Sequence, residues 1–331
     1  MGFETQDVER KVMAILNTLE DSHEAVGSTV IAKRLKDMGI GLSERAVRYH
    51  LRLMDERGLT RLVGRRDGRL ITALGEAEIK KAMVSHKVGL TLSRIEMLAF
   101  RTNIDLEKRE GIVPANISFF NKEDFSKALK VMKPVFKAGL CVSDLVAVAH
   151  EGESMGEVVV PSGKVGLATM CSIVVNGTLL KAGVPIDSKF GGVLEIRDNK
   201  PMRFVELIHY SGSSLDPSEI FIRAKMTSVA KVAAEGNGEI LANYREIPAI
   251  CQPMAREVAA KLKAANLGGI YMMGNISEPV CEVPLDINRV GVILIGGLNP
   301  VAAAAEAGIY SESAAMSILL DYQKLVKVTE L

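Results

Sequence analysis

The carboxy-terminal part of the chain contains an internal repeat, and this feature restricts the possible folds more than any other. With an offset of 125 residues, KVGL at 164–167 matches RVGV at 289–292. In the same register, AGVPIDS at 182–188 matches AGIYSES at 307–313. A repeat of this length indicates one supersecondary unit that is used twice. The sequence therefore predicts a duplicated domain whose halves are related by a pseudo-twofold axis.

Each half combines segments typical of strands with segments typical of helices. The run VPANISFF at 113–120 predicts a strand, and the following 19 residues, NKEDFSKALKVMKPVFKAG, predict a helix. We therefore expect class α+β, with helices on one face of a largely antiparallel sheet. The two halves are expected at roughly 112–210 and 238–331.

Near the amino terminus, SERAVRYHLRLMDERG at 43–58 carries two stripes at helical spacing. Val47, Leu51 and Met54 form an apolar stripe that would hold the helix against its own domain. The other stripe is largely basic and includes one aromatic side chain; its members are Arg45, Arg48, Tyr49 and Arg52. The segment begins with a serine and ends with a glycine, which are typical start and stop residues of a helix.

Two helical segments precede this one, and LTRLVGRRDGRLIT at 59–72 follows it. The latter predicts a β-hairpin, because Asp67-Gly68 is a tight-turn signal between two strand-forming runs. Three helices and a two-stranded ribbon make a winged helix-turn-helix, whose recognition helix lies in the major groove of DNA. This domain is expected to span 1–84. Its expected DNA contacts lie on the recognition helix, at its start and on the wing: Ser43, Arg45, Arg48, Tyr49, Arg52, Arg65, Arg66 and Arg69.

The distribution of charge favours a nucleic-acid partner. The formal net charge is only +1, but residues 28–70 contain eleven Lys or Arg and five Asp or Glu. A compact basic segment on a mildly acidic body is the footprint of a nucleic-acid-binding module. Two other interpretations of the arginine stripe stay open, a solvated helix face and a protein-interaction surface.

Motifs of enzymes and metal sites are weak or missing in the sequence. GESMG at 152–156 matches the nucleophile motif of hydrolases, but a strand-forming run follows it where that motif requires a helix. The sequence contains no P-loop, no dinucleotide-binding glycine motif and no metal-ligand spacing of His and Cys. We therefore expect no catalytic residue, no metal and no cofactor, and the chain is predicted not to be an enzyme.

The cysteines and the apolar segments predict a cytoplasmic protein without membrane contact. The four cysteines are scattered and form no CxxC pair, which favours a reducing compartment. The amino-terminal segment lacks the apolar core of a signal peptide. The apolar stretch VGVILIGGL, near the carboxy terminus, is too short to span a bilayer.

A large non-enzymatic body joined to a DNA-binding module is typical of a sensor, so residues 85–331 are expected to bind an effector and to dimerise. In this body Asn176-Gly177 is compatible with a hairpin turn or with a strand-to-helix turn. The repeat favours the second, because Asn299-Pro300 is a helix-start signal.

The start of a helix offers unpaired N–H groups to an anion. The candidate effector ligands are the polar groups near this turn and the two nearest lysines: Thr169, Cys171, Ser172, Asn176, Gly177, Lys181 and Lys189. The alternative is that these residues only cap the helix and turn the chain.

Two stretches of the sequence resemble the archaeal nitrogen-regulatory repressor family, NrpR. The segment at 28–79, which contains SERAVRYHLRLMDERG, is similar to the winged helix of that family. The segment GLATMCSIVVNGTLLKAGVPIDSKFGGVLEI at 166–196 is similar to its regulatory domain. The first motif is shared by many regulators, and the second is much more specific.

The resemblance implies a homodimeric repressor of nitrogen-assimilation genes that binds palindromic operator DNA and is released by 2-oxoglutarate. It implies an amino-terminal winged helix-turn-helix followed by a duplicated α-β plait-like regulatory domain. A second family member or the general transcription factors are further partners of the family. Two alternatives stay open: a regulator that responds to another metabolite, and an interaction scaffold with a winged helix.

Overall fold

The structure is a computed structural model that describes residues 2–22, 24–64, 68–81 and 89–331. The chain divides into two units, Met1–Val88 and Gly89–Leu331. The described residues form one hydrophobic core in the first unit and two in the second. Within the described ranges, no helix combines the length and the apolar composition that a membrane span requires.

The first unit is a winged helix, as the sequence predicts. Its elements are α1 Gly2–Glu20, α2 Ser28–Asp37, α3 Glu44–Glu56, β1 Thr60–Gly64, β2 Gly68–Ile71 and α4 Ala73–Lys81. The apolar stripes of α1, α2 and α3 meet in the core, where Leu16, Ile31 and Leu51 are fully buried. β1 and β2 pair in antiparallel fashion and form the ribbon of the wing.

The wing is also tied to the segment before α2. Val26 and Arg69 form an isolated antiparallel bridge. Gly68 has a φ of +96°, and a Cβ atom at this position would lie 2.2 Å from the carbonyl carbon of Val26. The glycine that the sequence places in the predicted turn is therefore required both by its backbone conformation and by the close approach of the neighbouring backbone.

The second unit is a mixed α+β domain. Its first half contains α5 Leu90–Arg101, β3 Ile112–Asn121, α6 Phe125–Lys137, β4 Leu145–His150, β5 Ser154–Met155, β6 Val158–Val159, β7 Lys164–Met170, α7 Ile173–Lys181 and β8 Asp187–Arg197. A connecting segment contains β9 Lys200–His209, α8 Pro217–Arg223 and α9 Val229–Glu235. Its second half contains β10 Gly238–Pro248, α10 Gln252–Ala264, β11 Ile270–Ile276, β12 Arg289–Ile295, α11 Asn299–Glu306, β13 Ser311–Asp321 and β14 Val326–Lys327.

The strands of this unit form two five-stranded sheets with the orders β11-β12-β10-β8-β9 and β13-β3-β7-β4-β14. Every neighbouring pair in both sheets is antiparallel. β5 and β6 make a separate small hairpin. α6, α9 and α11 contribute to one core, and α7 and α10 contribute to the other.

The two halves have the same order of elements and exchange their last strands. Apart from α5, the small hairpin and β14, each half runs strand, helix, strand, strand, helix, strand. β8, the last strand of the first half, pairs with β10 of the second half, and β13 pairs with β3. Each sheet is therefore completed by the other half of the chain, which makes the two halves interdependent.

Backbone hydrogen bonds repeat in the two halves. The N–H of Lys122 donates to the carbonyl of Gly163 at 3.1 Å, and the N–H of Ala249 donates to the carbonyl of Asn288 at 2.9 Å. Each bond joins the end of the first strand of a half to the loop before its third strand. These bonds fix which residues of the two halves correspond.

The segment around Asn176 is helical, so the structure selects the strand-to-helix turn over the hairpin. α7 begins at Ile173, and Asn176 lies inside its first turn. At Gly177 a Cβ atom would lie 2.4 Å from the Cβ of Thr102. This glycine allows α7 to pack closely against the end of α5.

Candidate functional site

The face of α3 that points away from its core is basic and exposed. Arg45, Arg48, Tyr49 and Arg52 are all exposed, whereas Val47, Leu51 and Met54 are fully buried. The hydroxyl of Ser43 accepts a hydrogen bond from the N–H of Ala46 at 3.2 Å and so caps the helix. The helix thus presents one face to its own domain and the other to solvent.

Two arginines of this face make weak ion pairs within the helix. Arg48 is 62% exposed and lies 3.7 Å from Glu44, and Arg52 is 70% exposed and lies 3.6 Å from Glu56. Exposed pairs of this kind contribute about 0–1 kcal/mol. Both guanidinium groups can therefore turn toward a phosphate or a base at little cost.

The wing arginines behave differently from those of α3. Arg69 is only 19% exposed, and its Nε donates to the carboxylate of Asp55 at 2.7 Å. This pair attaches the wing to α3, so Arg69 has a structural partner. Arg65 and Arg66 lie outside the described residues.

The second unit contains a small cavity where its two halves meet. The cavity lies between the first turns of α7 and α11, beside β3, β10 and β13 and the segment before α8. Its volume is about 20 Å³, enough for about one water molecule. Its polar lining includes Asn116, Ser172, Tyr210, Asp216, Asn243 and Arg245.

The central cation of the cavity is Arg245. Its side chain is 1% exposed. Its Nε donates to the side-chain oxygen of Asn176 at 3.4 Å, and a terminal nitrogen donates to the carbonyl of Tyr244 at 3.1 Å. The guanidinium carbon lies 4.8 Å from the ring centroid of Tyr210, within the range of a cation–π contact. A buried guanidinium is well suited to bind a carboxylate, because its planar donors match both carboxylate oxygens.

Polar side chains link the two halves around this cation. The hydroxyl of Tyr210 donates to the side-chain oxygen of Asn243 at 2.5 Å, and the amide of Asn243 donates to the hydroxyl of Ser172 at 3.2 Å. The side-chain oxygen of Asn116 accepts from the N–H of Met316 at 3.0 Å. These contacts connect β10 with α7, and β3 with β13.

Burial sets the protonation states of the lining groups. Burial raises the pKa of the Asp216 carboxyl, although hydrogen bonds from Ser218 and the charge of Arg245 oppose this shift. Burial also raises the pKa of the Cys171 thiol and of the Tyr210 hydroxyl, each to about 12. Both groups are therefore neutral at physiological pH, and the thiol is a poor nucleophile there. The guanidinium of Arg245 is the group in the lining that can pair with an anionic ligand.

The structure brings some of the sequence-predicted effector residues to the cavity. Cys171 and Ser172 line it, and Asn176 contacts its cation. The hydroxyl of Thr169 lies at the limit of hydrogen-bond distance, 3.5 Å, from the amide of Asn116. Gly177 does not line the cavity. Its lack of a side chain allows α7 to pack closely against the end of α5.

The two predicted lysines lie elsewhere. Lys181 donates to the carbonyl of Phe100 at 3.1 Å and lies over the ring of that residue. Lys189 pairs with Asp187 at 2.7 Å and with Glu246 at 3.4 Å. Neither lysine lines the cavity. Arg245 does line it, and it is not among the candidates predicted from the sequence. The feature of the sequence that could have identified Arg245 is its position as a single arginine inside the largely apolar run EILANYREIPAI.

Two family models match the chain. One, described as "NrpR regulatory domains NRD1 and 2", matches residues 88–327. The other, described as "Ribonuclease R winged-helix domain", matches residues 13–79. Together they match most of the second unit and the winged helix of the first.

Several known proteins are similar over most of the chain. The "Global nitrogen regulator NrpRI" of Methanosarcina mazei is 40% identical over 97% of this chain and 98% of its own length. Proteins named "Global nitrogen regulator NrpR" from Methanocaldococcus jannaschii and Methanococcus maripaludis are 34% and 31% identical, and the chain spans 56% and 55% of their lengths. The crystal structure of a nitrogen repressor-like protein from Methanococcus jannaschii has a TM-score of 0.62 and 27% identity, covering 73% of this chain and 99% of that one.

Proposed function

The chain belongs to the NrpR family of nitrogen regulators, and we propose that it represses nitrogen-assimilation genes by binding palindromic operator DNA as a dimer. In this proposal, 2-oxoglutarate binds the second unit and releases the repressor. The protein is a regulator and not an enzyme. Its cytoplasmic location, and a second family member or general transcription factors as partners, stay predictions from the sequence.

The observation that carries the DNA-binding part is the exposed basic face of α3. The proposed contacts are Ser43, Arg45, Arg48, Tyr49 and Arg52. In a winged helix, side chains on the exposed face of the recognition helix contact base edges while phosphate contacts fix its orientation. The half-buried Arg69 supports this interface indirectly, because its ion pair with Asp55 joins the wing to α3.

The cavity around Arg245 supports the effector part. 2-Oxoglutarate has two carboxylates and a keto oxygen, and the cavity offers a buried guanidinium beside hydroxyl and amide groups. We propose that Arg245, Ser172, Asn176 and Asn243 bind this ligand. A cavity of about 20 Å³ cannot hold a five-carbon dicarboxylate, so binding requires the two halves to open. An effector that binds only an opened form shifts the protein toward that form, and release follows if DNA is bound by the closed form.

Adding millimolar 2-oxoglutarate is expected to raise the dissociation constant of the operator complex at least tenfold, which corresponds to about 1.4 kcal/mol. Fluorescence anisotropy of a labelled operator duplex measures this change. Glutarate, which lacks the keto oxygen, is the matched control and should release the complex less effectively. An operator affinity that does not respond to millimolar 2-oxoglutarate would count against the effector assignment.

A further inference from the structure

We propose that an exposed apolar corner of the second unit is the surface through which two copies of this chain associate. The corner lies where β10 leads into α10, beside β11 and the loop before β12. It consists of Ile250, Met254, Ile276 and Ile287, and Ile250 and Ile287 are 90% and 83% exposed. This inference rests on the proposed function in one respect, because it assigns the surface through which the proposed dimer forms.

The residues of the apolar corner are neighbours in the fold. The hydrogen bond between Ala249 and Asn288 brings the adjacent Ile250 and Ile287 together. The side-chain amide of Gln252 donates to a backbone carbonyl of β11 at 2.9 Å and holds the first turn of α10 beside that strand. The four side chains therefore lie at the same corner of the sheet. Monomeric proteins rarely expose large contiguous apolar patches unless they have a partner.

The internal repeat shows that the fold does not require apolar residues at this corner. The bond between Lys122 and Gly163 is the counterpart of the bond between Ala249 and Asn288, and it identifies an equivalent corner in the first half. Four residues of the first half correspond in order to four of the second: Glu123, Ser162, Lys127 and His150 correspond to Ile250, Ile287, Met254 and Ile276. The four residues of the first half are polar or charged and exposed. The apolar residues of the second half thus have no counterpart in the common architecture.

The strand edges at the two corners also differ. β14 covers part of the edge of β4 through pairing of Val326 with Val146. β11, the counterpart of β4, is the outermost strand of its sheet in the described part of the chain. An uncovered strand edge with exposed apolar side chains is a surface onto which another chain can dock.

The chemistry of the apolar corner favours a second copy of this chain as the occupant. None of its four side chains is ionisable, so a twofold contact would place the patch on itself without burying a charged side chain of the patch. Aliphatic residues without charge are typical of permanent homodimer interfaces, whereas transient partners usually bind more polar surfaces.

The test exchanges residues of the apolar corner for those that the first half carries at the same positions. Ile250→Glu and Ile287→Ser, singly and together, are compared in the full chain by sedimentation equilibrium. The matched control is Glu123→Ala at the polar corner. We expect each single variant to raise the dissociation constant of the dimer at least tenfold and the control to leave it unchanged. Because these positions are exposed, all variants should keep the thermal midpoint of the monomer.

Two results would overturn the proposal. One is a wild-type chain that sediments as a monomer over the whole accessible concentration range. The other is a double variant that stays as dimeric as the wild type. A monomeric wild type would also contradict the dimer of the proposed function. The second result is distinguishable from failure of the proposed function, because it leaves the dimer intact and concerns only the surface that forms it. A dimeric double variant that still binds the operator would remove only the surface assigned here.

Discussion

Replacing Arg48 and Arg52 together with alanine is expected to weaken operator binding by about 2–6 kcal/mol, since a side chain that reads a base contributes about 1–3 kcal/mol. Both guanidinium groups are more than half exposed and make weak ion pairs within the helix. Alanine favours the helical conformation, so the fold of the first unit should persist. Anisotropy titrations of a labelled operator duplex at fixed salt measure the loss.

The matched control for this prediction is Arg57→Ala. Arg57 lies at the end of the same helix, is 51% exposed and pairs with Glu78 at 3.6 Å, so it resembles the other two arginines except in position. Its replacement should change the operator dissociation constant by less than threefold. An unchanged affinity in the double variant would show that α3 does not recognise DNA through this face.

Replacing Arg245 with methionine is expected to abolish release by 2-oxoglutarate and to leave operator binding intact. Removing one partner of a buried, hydrogen-bonded charge pair costs about 2–5 kcal/mol, so effector affinity should fall by more than tenfold. Methionine keeps most of the volume of the side chain. The charge of Arg245 lowers the pKa of Asp216, so its removal shifts this buried carboxyl toward the neutral form. The thermal midpoint of the variant checks that the fold is retained.

Lys189→Met is the control that separates the cavity from the site predicted by the sequence. Lys189 pairs with Asp187 and Glu246 and does not line the cavity. Its removal should leave the response to 2-oxoglutarate within about twofold of the wild type. If Lys189→Met abolished release while Arg245→Met responded normally, the effector would bind at the lysine and not in the cavity.

Local patterns in the sequence were sufficient to predict the recognition helix and the repeat. The apolar spacing of Val47, Leu51 and Met54 predicts the buried face of α3, and the structure buries all three. The register of the repeat aligns Lys164 with Arg289, and these two residues begin the corresponding strands β7 and β12. Signals of this kind depend on residues close together in the chain or on direct similarity between two segments.

The cavity depends on contacts between distant segments, which the sequence alone did not reveal. Arg245 becomes central because the halves exchange strands, so that β8 pairs with β10. Tyr210 and Asp216 come from the connecting segment, which has no counterpart in the repeat. Lys189 is close in sequence to the predicted turn, but Glu246, far along the chain, binds it. A pattern that identifies a helix start therefore does not identify the cation nearest to it in space.

The central claim, that effector binding and DNA binding oppose each other, is tested most directly by isothermal titration of 2-oxoglutarate into the full chain with and without saturating operator duplex. Linkage requires that the operator weaken effector binding by the same factor by which the effector weakens operator binding. We predict an at least tenfold higher effector dissociation constant in the complex. Equal effector affinity in the free and the operator-bound protein would contradict the claim.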